Sequence, residues 1–184
     1  HDGIDTQLWK RAPAPERVVG PHRFGPETRI VTYVSRGFES MRGFDIFMRA
    51  AKTIYTADPR VVFLIVGSDR VAYGGDLKFI REKSFREFIL KQDDYDLTRL
   101  LFLGQVKPSE LVHILSLLDL PLYLTVPFVL SWSLLDALAA GCPACRPGGT
   151  RGFSEGAGVL GSACTTVVSS PASPMESPTL SIFV

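Results

Sequence analysis

The sequence predicts a Rossmann-like α/β domain with a doubly wound parallel sheet, followed by an irregular C-terminal tail. Apolar, β-branched runs alternate with segments of helical spacing, and the connections between them are short. This alternation is typical of a sheet with helices on both faces. The run from Val61 to Val66 has no polar face, which is the pattern of a strand in the middle of a parallel sheet. Glycine and polar residues follow the runs, at the strand ends where such sheets bind ligands.

Each element is predicted from its own local pattern. Four prolines and three glycines among mixed charges predict an irregular linker over residues 1 to 28. From residue 29 the pattern predicts strands over 29–35, 61–66, 100–103 and 120–124, and helices over 43–57, 77–91, 108–118 and 132–140. Pro108 suits the first turn of its helix, and Gly141 suits the end of the last one. The predicted domain therefore covers residues 29 to 143.

The character of the sequence changes after Pro143. Residues 144 to 184 contain no Lys and are rich in Gly, Ser, Pro, Thr and Ala. The alternation of strand and helix patterns seen up to Pro143 is not legible in this segment. Our hypothesis is that the tail is out of frame or otherwise not native sequence, and we expect it to be disordered or loosely packed.

Composition limits the classes of protein that fit. The 184 residues suffice for one compact domain with a hydrophobic core, and the formal net charge of +1 does not indicate a nucleic-acid partner. The chain has no Asn, hence no N-glycosylation site, and its three Cys fit a reducing compartment, so we predict a cytoplasmic location. Because the sequence begins with His1 and shows no signal peptide, we expect a fragment whose natural N-terminal part is missing.

The apolar run from Leu111 to Leu138 is long enough to cross a bilayer. Two prolines and two acids interrupt it, however, and two buried helices around a buried strand explain the same residues. We therefore predict no transmembrane helix, while peripheral contact with a membrane stays open.

Three other patterns have both a structural and a functional interpretation. His113 lies within a predicted helix between apolar neighbours, so it is a partly buried structural residue or a catalytic one. The acids of the turn 92–96 form a solvated turn or a calcium loop, although the glycine and the distal glutamate of a calcium loop are missing. Cys142 and Cys145 are a chance C-x-x-C, a redox pair or half of a zinc site.

Two segments at predicted strand ends carry the clearest functional signal. The segment from Arg36 to Gly43 reads RGFESMRG, and its two arginines are the residue type that binds phosphate in bidentate fashion. The segment from Pro127 to Gly141 ends in DALAAG, and Asp136 is the one acid of its otherwise apolar helix. Such an acid is either a solvated helix position or part of a site.

These two segments, together with the turn Gly67-Ser68-Asp69, resemble the donor-binding motifs of the family 4, or group 1, glycosyltransferases over roughly residues 1 to 143. Enzymes of that family are retaining and metal-independent, and they have two Rossmann-like lobes, the GT-B fold. The resemblance implies that this chain is the C-terminal, nucleotide-sugar-binding lobe and that residues 1–28 are the interlobe linker. Phe128 and Ser131 stand where the family pattern has an acid and a glycine.

The resemblance also implies roles for individual residues. Arg36 and Arg42 would bind the donor diphosphate, and Asp136 would accept hydrogen bonds from the ribose hydroxyls. The donor-binding loops would include further residues near strand ends, namely Gly67, Val106, Ser131 and Ser133. Neither a metal nor a cofactor is implied, since the nucleotide-sugar is the substrate.

The catalytic residues are unknown, because the acceptor site would belong to the missing N-terminal lobe. We expect the fragment alone to be inactive, and we expect the complete protein to transfer a sugar with retention. A second interpretation, from another class of protein, is a non-catalytic nucleotide-binding or phosphate-binding Rossmann-like module. Binding without turnover in the complete protein would favour that module.

Overall fold

The computed structural model describes residues 5–11, 16–124 and 132–141 of the chain. This part contains the strands β1 (Val18–Val19), β2 (His22–Arg23), β3 (Arg29–Gly37), β4 (Val61–Ser68), β5 (Leu100–Gly104) and β6 (Leu120–Leu122). Strands β3 to β6 form one parallel sheet in the order β5-β4-β3-β6, and β1 and β2 form a separate antiparallel pair. The predicted parallel sheet is therefore confirmed, with β4 between two neighbours.

Helices cover both faces of this sheet. They are α1 (Phe44–Ala57), α2 (Phe85–Gln92), α3 (Pro108–Leu117) and α4 (Trp132–Ala139). On β4, Phe63 and Ile65 pack with α1 and α2, whereas Leu64 and Val66 pack with α3 and α4. Because side chains alternate between the two faces of a strand, a strand covered on both sides is apolar throughout. The doubly wound arrangement is therefore confirmed.

Aromatic rings dominate the core on the α1 side. The side chains of Tyr33, Phe38, Phe44 and Phe47 are each at most 1% exposed. The Tyr33 and Phe47 ring centroids are 4.5 Å apart, and those of Phe38 and Phe44 are 4.8 Å apart. Such stacked pairs add to the free energy gained by burying the rings. The cluster supports the connection between β3 and α1, where the first of the two motifs lies.

The predicted helix over 77–91 is wrong in its first half. Residues Asp76–Lys78 form a single 3-10 turn, and α2 begins only at Phe85. Ser84 defines this start, because its hydroxyl oxygen accepts a hydrogen bond from the Glu87 amide at 3.1 Å. Amphipathic spacing continues upstream of Ser84, but the cap decides where the helix begins.

Residues 16–28 are more ordered than the irregular linker that their composition predicts. β1 and β2 pair around Gly20, whose φ of +54° suits a tight turn. Val19 is buried in the core on the α3 side, and the His113 Nε2 atom lies 2.9 Å from the Val18 carbonyl oxygen. His113 therefore makes a structural contact, which agrees with the first of its two interpretations.

Several predicted features lie outside the described residues: Phe128, Ser131, the pair Cys142 and Cys145, and the tail over 144–184. None of the described helices is long and apolar enough to cross a membrane. The same part of the chain holds no group of three or more His, Cys, Asp or Glu residues that could bind a metal ion. In the acidic turn, Asp93 instead forms an ion pair with Lys52 at 2.6 Å.

Candidate functional site

The candidate site lies at the carboxyl edge of the sheet, where β3 and β4 end side by side and Gly37 pairs with Ser68. Gly67 has a φ of +151°, and a Cβ atom on it would lie 2.3 Å from the Ser35 carbonyl oxygen. A Cβ atom on Gly37 would lie 2.3 Å from the Arg70 carbonyl oxygen. Glycine at both positions therefore allows the two strand ends and their loops to approach this closely.

Arg36 and Arg42 both contact the side chain of Tyr73, which lies in the loop that follows β4. The Arg36 Nη1 atom donates a hydrogen bond to the Tyr73 phenol oxygen at 2.6 Å, and the Arg36 Cζ atom lies 5.8 Å from the ring centroid. The Arg42 Cζ atom lies 5.4 Å from the same centroid. Both distances are within the range of cation–π attraction. The structure thus joins the two arginines that the sequence selects in one group, which we call the arginine–tyrosine cluster (Arg36, Arg42 and Tyr73).

The 3-10 turn Ser40–Arg42 holds Arg42 just ahead of α1. Gly43 ends this turn in the left-handed conformation, with a φ of +64°. The buried Tyr33 hydroxyl donates a hydrogen bond to the Arg42 carbonyl oxygen at 2.9 Å. Burial raises the pKa of the Tyr33 phenol, so this group stays protonated and continues to donate. The backbone of Arg42 is therefore fixed from the core side.

Glu39 is a residue of this site that sequence reasoning does not select. Its side chain is fully buried, and Oε2 accepts hydrogen bonds from the amides of Ala72, Tyr73 and Gly74 at 3.0, 2.8 and 2.9 Å. Its other oxygen, Oε1, lies 3.9 Å from the Arg42 Nε atom. The signal that could have indicated it is a single acid between two arginines in a strand-to-helix connection.

Two further polar contacts fix the loop that carries Tyr73. The Asp76 carboxylate accepts hydrogen bonds from the backbone amide, at 3.1 Å, and from the hydroxyl of Ser40. Asp69, at the other end of the loop, forms an ion pair with Arg86 of α2 at 2.9 Å. The loop is therefore attached at both ends as well as at its centre.

Asp136 and Ser133 lie on α4. A cavity of about 20 Å³ is lined by residues of β3, β6 and α4, among them Val34, Leu122, Ser133 and Ala137. The start of α4 therefore adjoins the carboxyl half of β3 and the end of β6. Asp136 is about half-buried, and burial raises the pKa of its carboxyl group. Within the described part of the chain, no hydrogen bond or ion pair joins Asp136 to the arginine–tyrosine cluster.

The raised pKa of Asp136 gives a pH-dependent prediction. Because this pKa is higher in the folded chain than in the unfolded one, the contribution of Asp136 to the free energy of unfolding falls as the pH rises through the folded-state value. Asn does not titrate, so the stability of Asp136→Asn relative to the wild type should increase from about pH 3 to about pH 7. Urea unfolding of both proteins across this range measures the difference. A difference that does not change with pH would contradict the raised pKa.

Gly104 and Val106 lie at the end of the neighbouring strand. Gly104 ends β5 with a φ of +70°, and the Val106 side chain packs against the core on the α3 side. The Val106 side chain is therefore partly buried in the fold. Its contact with a donor stays a prediction, as do those of Gly67 and Ser133.

These elements form a Rossmann-like lobe, a four-stranded parallel sheet with helices on both faces. The C-terminal domain of a glycosyl transferase group 1 family protein (LpcC) from Francisella tularensis is similar in structure. The TM-score is 0.55 and the sequence identity 19%, over 76% of this chain and 68% of that chain. At this level of identity the likeness establishes the fold, and it confirms the predicted fold class.

Two longer enzymes are less similar. Sucrose-phosphate synthase from Thermosynechococcus elongatus has a TM-score of 0.49 and 20% identity, over 77% of this chain and 32% of that chain. A UDP-forming α,α-trehalose-phosphate synthase from Burkholderia xenovorans has a TM-score of 0.46 and 16% identity, over 65% of this chain and 28% of that chain. The chain thus spans about a third or less of these enzymes. Neither a family model nor a curated protein matches the sequence.

Proposed function

We propose that this chain is the donor-binding lobe of a retaining glycosyltransferase and that it binds a nucleotide-sugar at the carboxyl edge of its sheet. The observation that carries the proposal is the arginine–tyrosine cluster, in which two guanidinium groups converge at the end of β3. Open α/β sheets bind their ligands at this edge. The similar C-terminal domain belongs to a protein named as a glycosyl transferase, and this name favours a glycosyl donor over other nucleotides.

Transfer of a sugar from a nucleotide-sugar leaves a nucleoside diphosphate, and the β-phosphate oxygen that was bonded to the sugar gains negative charge as the glycosidic bond breaks. Guanidinium groups that are already fixed stabilise this charge without having to reorganise. The Tyr33 hydrogen bond fixes the backbone of Arg42, and Arg36 belongs to β3 itself. The cluster therefore supplies two positive charges where the leaving group needs them, and the proposal includes neither a metal nor a cofactor.

Asp136 would bind the ribose of the donor. An ionised carboxylate accepts hydrogen bonds from two hydroxyl groups, whereas a protonated one is a weaker acceptor. Ser133, one turn before Asp136, and Gly67, Val106 and Ser131 would complete the donor loops. The acceptor site and the catalytic residues would belong to an N-terminal lobe. Any peripheral contact with a membrane would also involve that lobe. The proposal includes a cytoplasmic location.

Calorimetric titration of UDP, GDP and ADP into the chain tests this function. We expect one of the three nucleotides to bind, and we expect Arg42→Ala to weaken its binding by roughly 10- to 100-fold, the effect of losing a charged hydrogen-bonding partner. Arg49→Ala is the matched control, because Arg49 lies on the surface of α1 and pairs only with Asp45 among the described residues.

A folded chain that binds none of the three nucleotides would contradict the donor-lobe proposal. Equal binding by the wild type and Arg42→Ala would contradict the role of the cluster. Turnover separates the enzyme from a non-catalytic nucleotide-binding module. The complete two-lobed protein should release nucleoside diphosphate from a nucleotide-sugar in the presence of an acceptor, and a module would bind the nucleotide without this reaction.

A further inference from the structure

We propose that Tyr73 is a third ligand of the diphosphate and that Glu39 is the positioning residue that holds Tyr73 between the two arginines. The inference rests on the proposed function, which it deepens by adding a neutral hydroxyl donor to the two guanidinium groups. Arg36 and Arg42 belong to the segment that ends at Gly43, whereas Tyr73 comes from the loop after the next strand. The donor site would therefore be built from two connections, each of which contributes to the contact with the phosphates.

The hydrogen bonds of Tyr73 leave its hydroxyl group available to a ligand. Its phenol oxygen accepts a hydrogen bond from Arg36, so its own hydroxyl hydrogen remains to be donated. Among the described residues no acceptor receives this hydrogen. Tyr73 is 57% exposed and therefore open to a ligand. A phosphate oxygen is the acceptor that fits, because it would be attracted by both guanidinium groups beside it.

The charges around Tyr73 support an anionic ligand. Both guanidinium groups lie within 6 Å of the same ring centroid, at 5.8 and 5.4 Å. Two like charges that share one neutral ring repel each other, and cation–π attraction offsets only part of this repulsion. Among the described carboxylate oxygens, the Glu39 Oε1 atom is the one within 4 Å of a nitrogen of either guanidinium group, at 3.9 Å from Arg42 Nε. An anion bound beside the arginines would offset the repulsion between them and accept hydrogen bonds from their free N–H groups.

The contacts of Glu39 explain how it positions Tyr73 and Arg42. Its buried carboxylate accepts hydrogen bonds from the three consecutive backbone amides of residues 72–74. These bonds fix the backbone on either side of the Tyr73 side chain. Its Oε1 atom has no hydrogen-bond partner among the described residues. At 3.9 Å this oxygen attracts Arg42 but does not form a short hydrogen bond with it, so the guanidinium nitrogens stay available to a ligand. Glu39 thus orders both the tyrosine and one arginine without occupying the site.

The decisive variant is Tyr73→Phe, which keeps the ring and both cation–π contacts but removes the hydroxyl. The ligands are inorganic pyrophosphate and the nucleoside diphosphate that the wild type binds, titrated by calorimetry. We expect both to bind about tenfold more weakly, the loss that corresponds to one hydrogen bond to a charged group. Tyr95→Phe is the matched control, because Tyr95 also lies near a cation, Lys52, but in the turn before β5, where it is partly buried.

Glu39→Gln tests the positioning role. The glutamine carbonyl oxygen can still face the three amides, but its side chain has no charge to attract Arg42. Removal of a negative charge beside the cluster would by itself tighten anion binding. We expect weaker binding instead, by about tenfold, because a neutral carbonyl oxygen holds the three amides less strongly than a carboxylate and Arg42 loses the charge that attracts it, so both groups are less well aligned. If Glu39 acts through Tyr73, its effect should be much smaller in the Tyr73→Phe background, because the two residues form one contact network.

The outcomes separate this inference from the function on which it rests. Nucleotide binding that depends on Arg42 but is unchanged in Tyr73→Phe would overturn the inference and leave the donor-lobe function intact. Pyrophosphate binding that depends on Tyr73, with no preference for any nucleotide, would support the third ligand and contradict the function. Tighter binding by Glu39→Gln, or an equal effect in both backgrounds, would overturn the positioning role. A folded wild-type chain that binds neither ligand would contradict both proposals.

Discussion

Replacement of Glu39 by alanine is expected to lower the free energy of unfolding by about 2–4 kcal/mol, because three charge-assisted hydrogen bonds are lost together. The amides of residues 72–74 would keep their donors but lose their common acceptor, and the buried volume of the side chain would become a cavity. Urea denaturation monitored by fluorescence measures this change.

Glu27→Ala is the matched control for this variant. Glu27 is exposed in the segment before β3, so its removal should change the free energy of unfolding by less than about 0.5 kcal/mol. Equal stabilities of Glu39→Ala and Glu27→Ala would show that the carboxylate of Glu39 does not hold the loop.

Gly67→Ala is expected to destabilise the chain by about 3 kcal/mol or more. Its φ of +151° belongs to a region that residues with a side chain rarely adopt, and the added Cβ atom would lie 2.3 Å from the Ser35 carbonyl oxygen. Neither group can move without separating β3 from β4 at the carboxyl edge. Thermal and urea unfolding measure the loss of stability, and the binding of a nucleoside diphosphate should be lost with it.

Gly75→Ala provides a control of the same chemistry a few residues away. A Cβ atom on Gly75 would meet no heavy atom within 4 Å, and its φ is −105°, which alanine adopts readily. We expect a change of less than about 1 kcal/mol in the free energy of unfolding. If Gly67→Ala were as stable as Gly75→Ala, the close approach of the two strand ends would not be essential to the fold.

The strands and most helices could be predicted because their signals are local. β4 is apolar on both faces, and this pattern already indicated a strand with helices on either side. The hairpin around Gly20 escaped prediction because strands of two residues are too short to show a period. The false first half of the predicted helix over 77–91 has a different cause, since one capping hydrogen bond at Ser84 outweighs amphipathic spacing.

The candidate site was predictable only in part, for a related reason. Arg36 and Arg42 belong to one short segment, so their proximity could be anticipated from a single motif. Tyr73 and Glu39 are 34 positions apart in the sequence, yet the Tyr73 amide donates a hydrogen bond to the Glu39 carboxylate. Contacts between two connections depend on strand register and loop path, and a one-dimensional pattern contains neither. Asp136 retains its predicted role as a proposal.

The extension of β3 as far as Gly37, paired with Ser68, affects how tightly the site can bind. Arg36 lies in β3 at an irregularity between the paired residues Val34 and Gly37, so its backbone is restricted by the sheet on either side. A ligand therefore does not have to immobilise this backbone on arrival, and the conformational entropy that a flexible loop would lose on binding is not subtracted from the affinity. Under the proposed function the site would therefore be preorganised, because the restricted backbone of the sheet extends to a residue that would bind the phosphate.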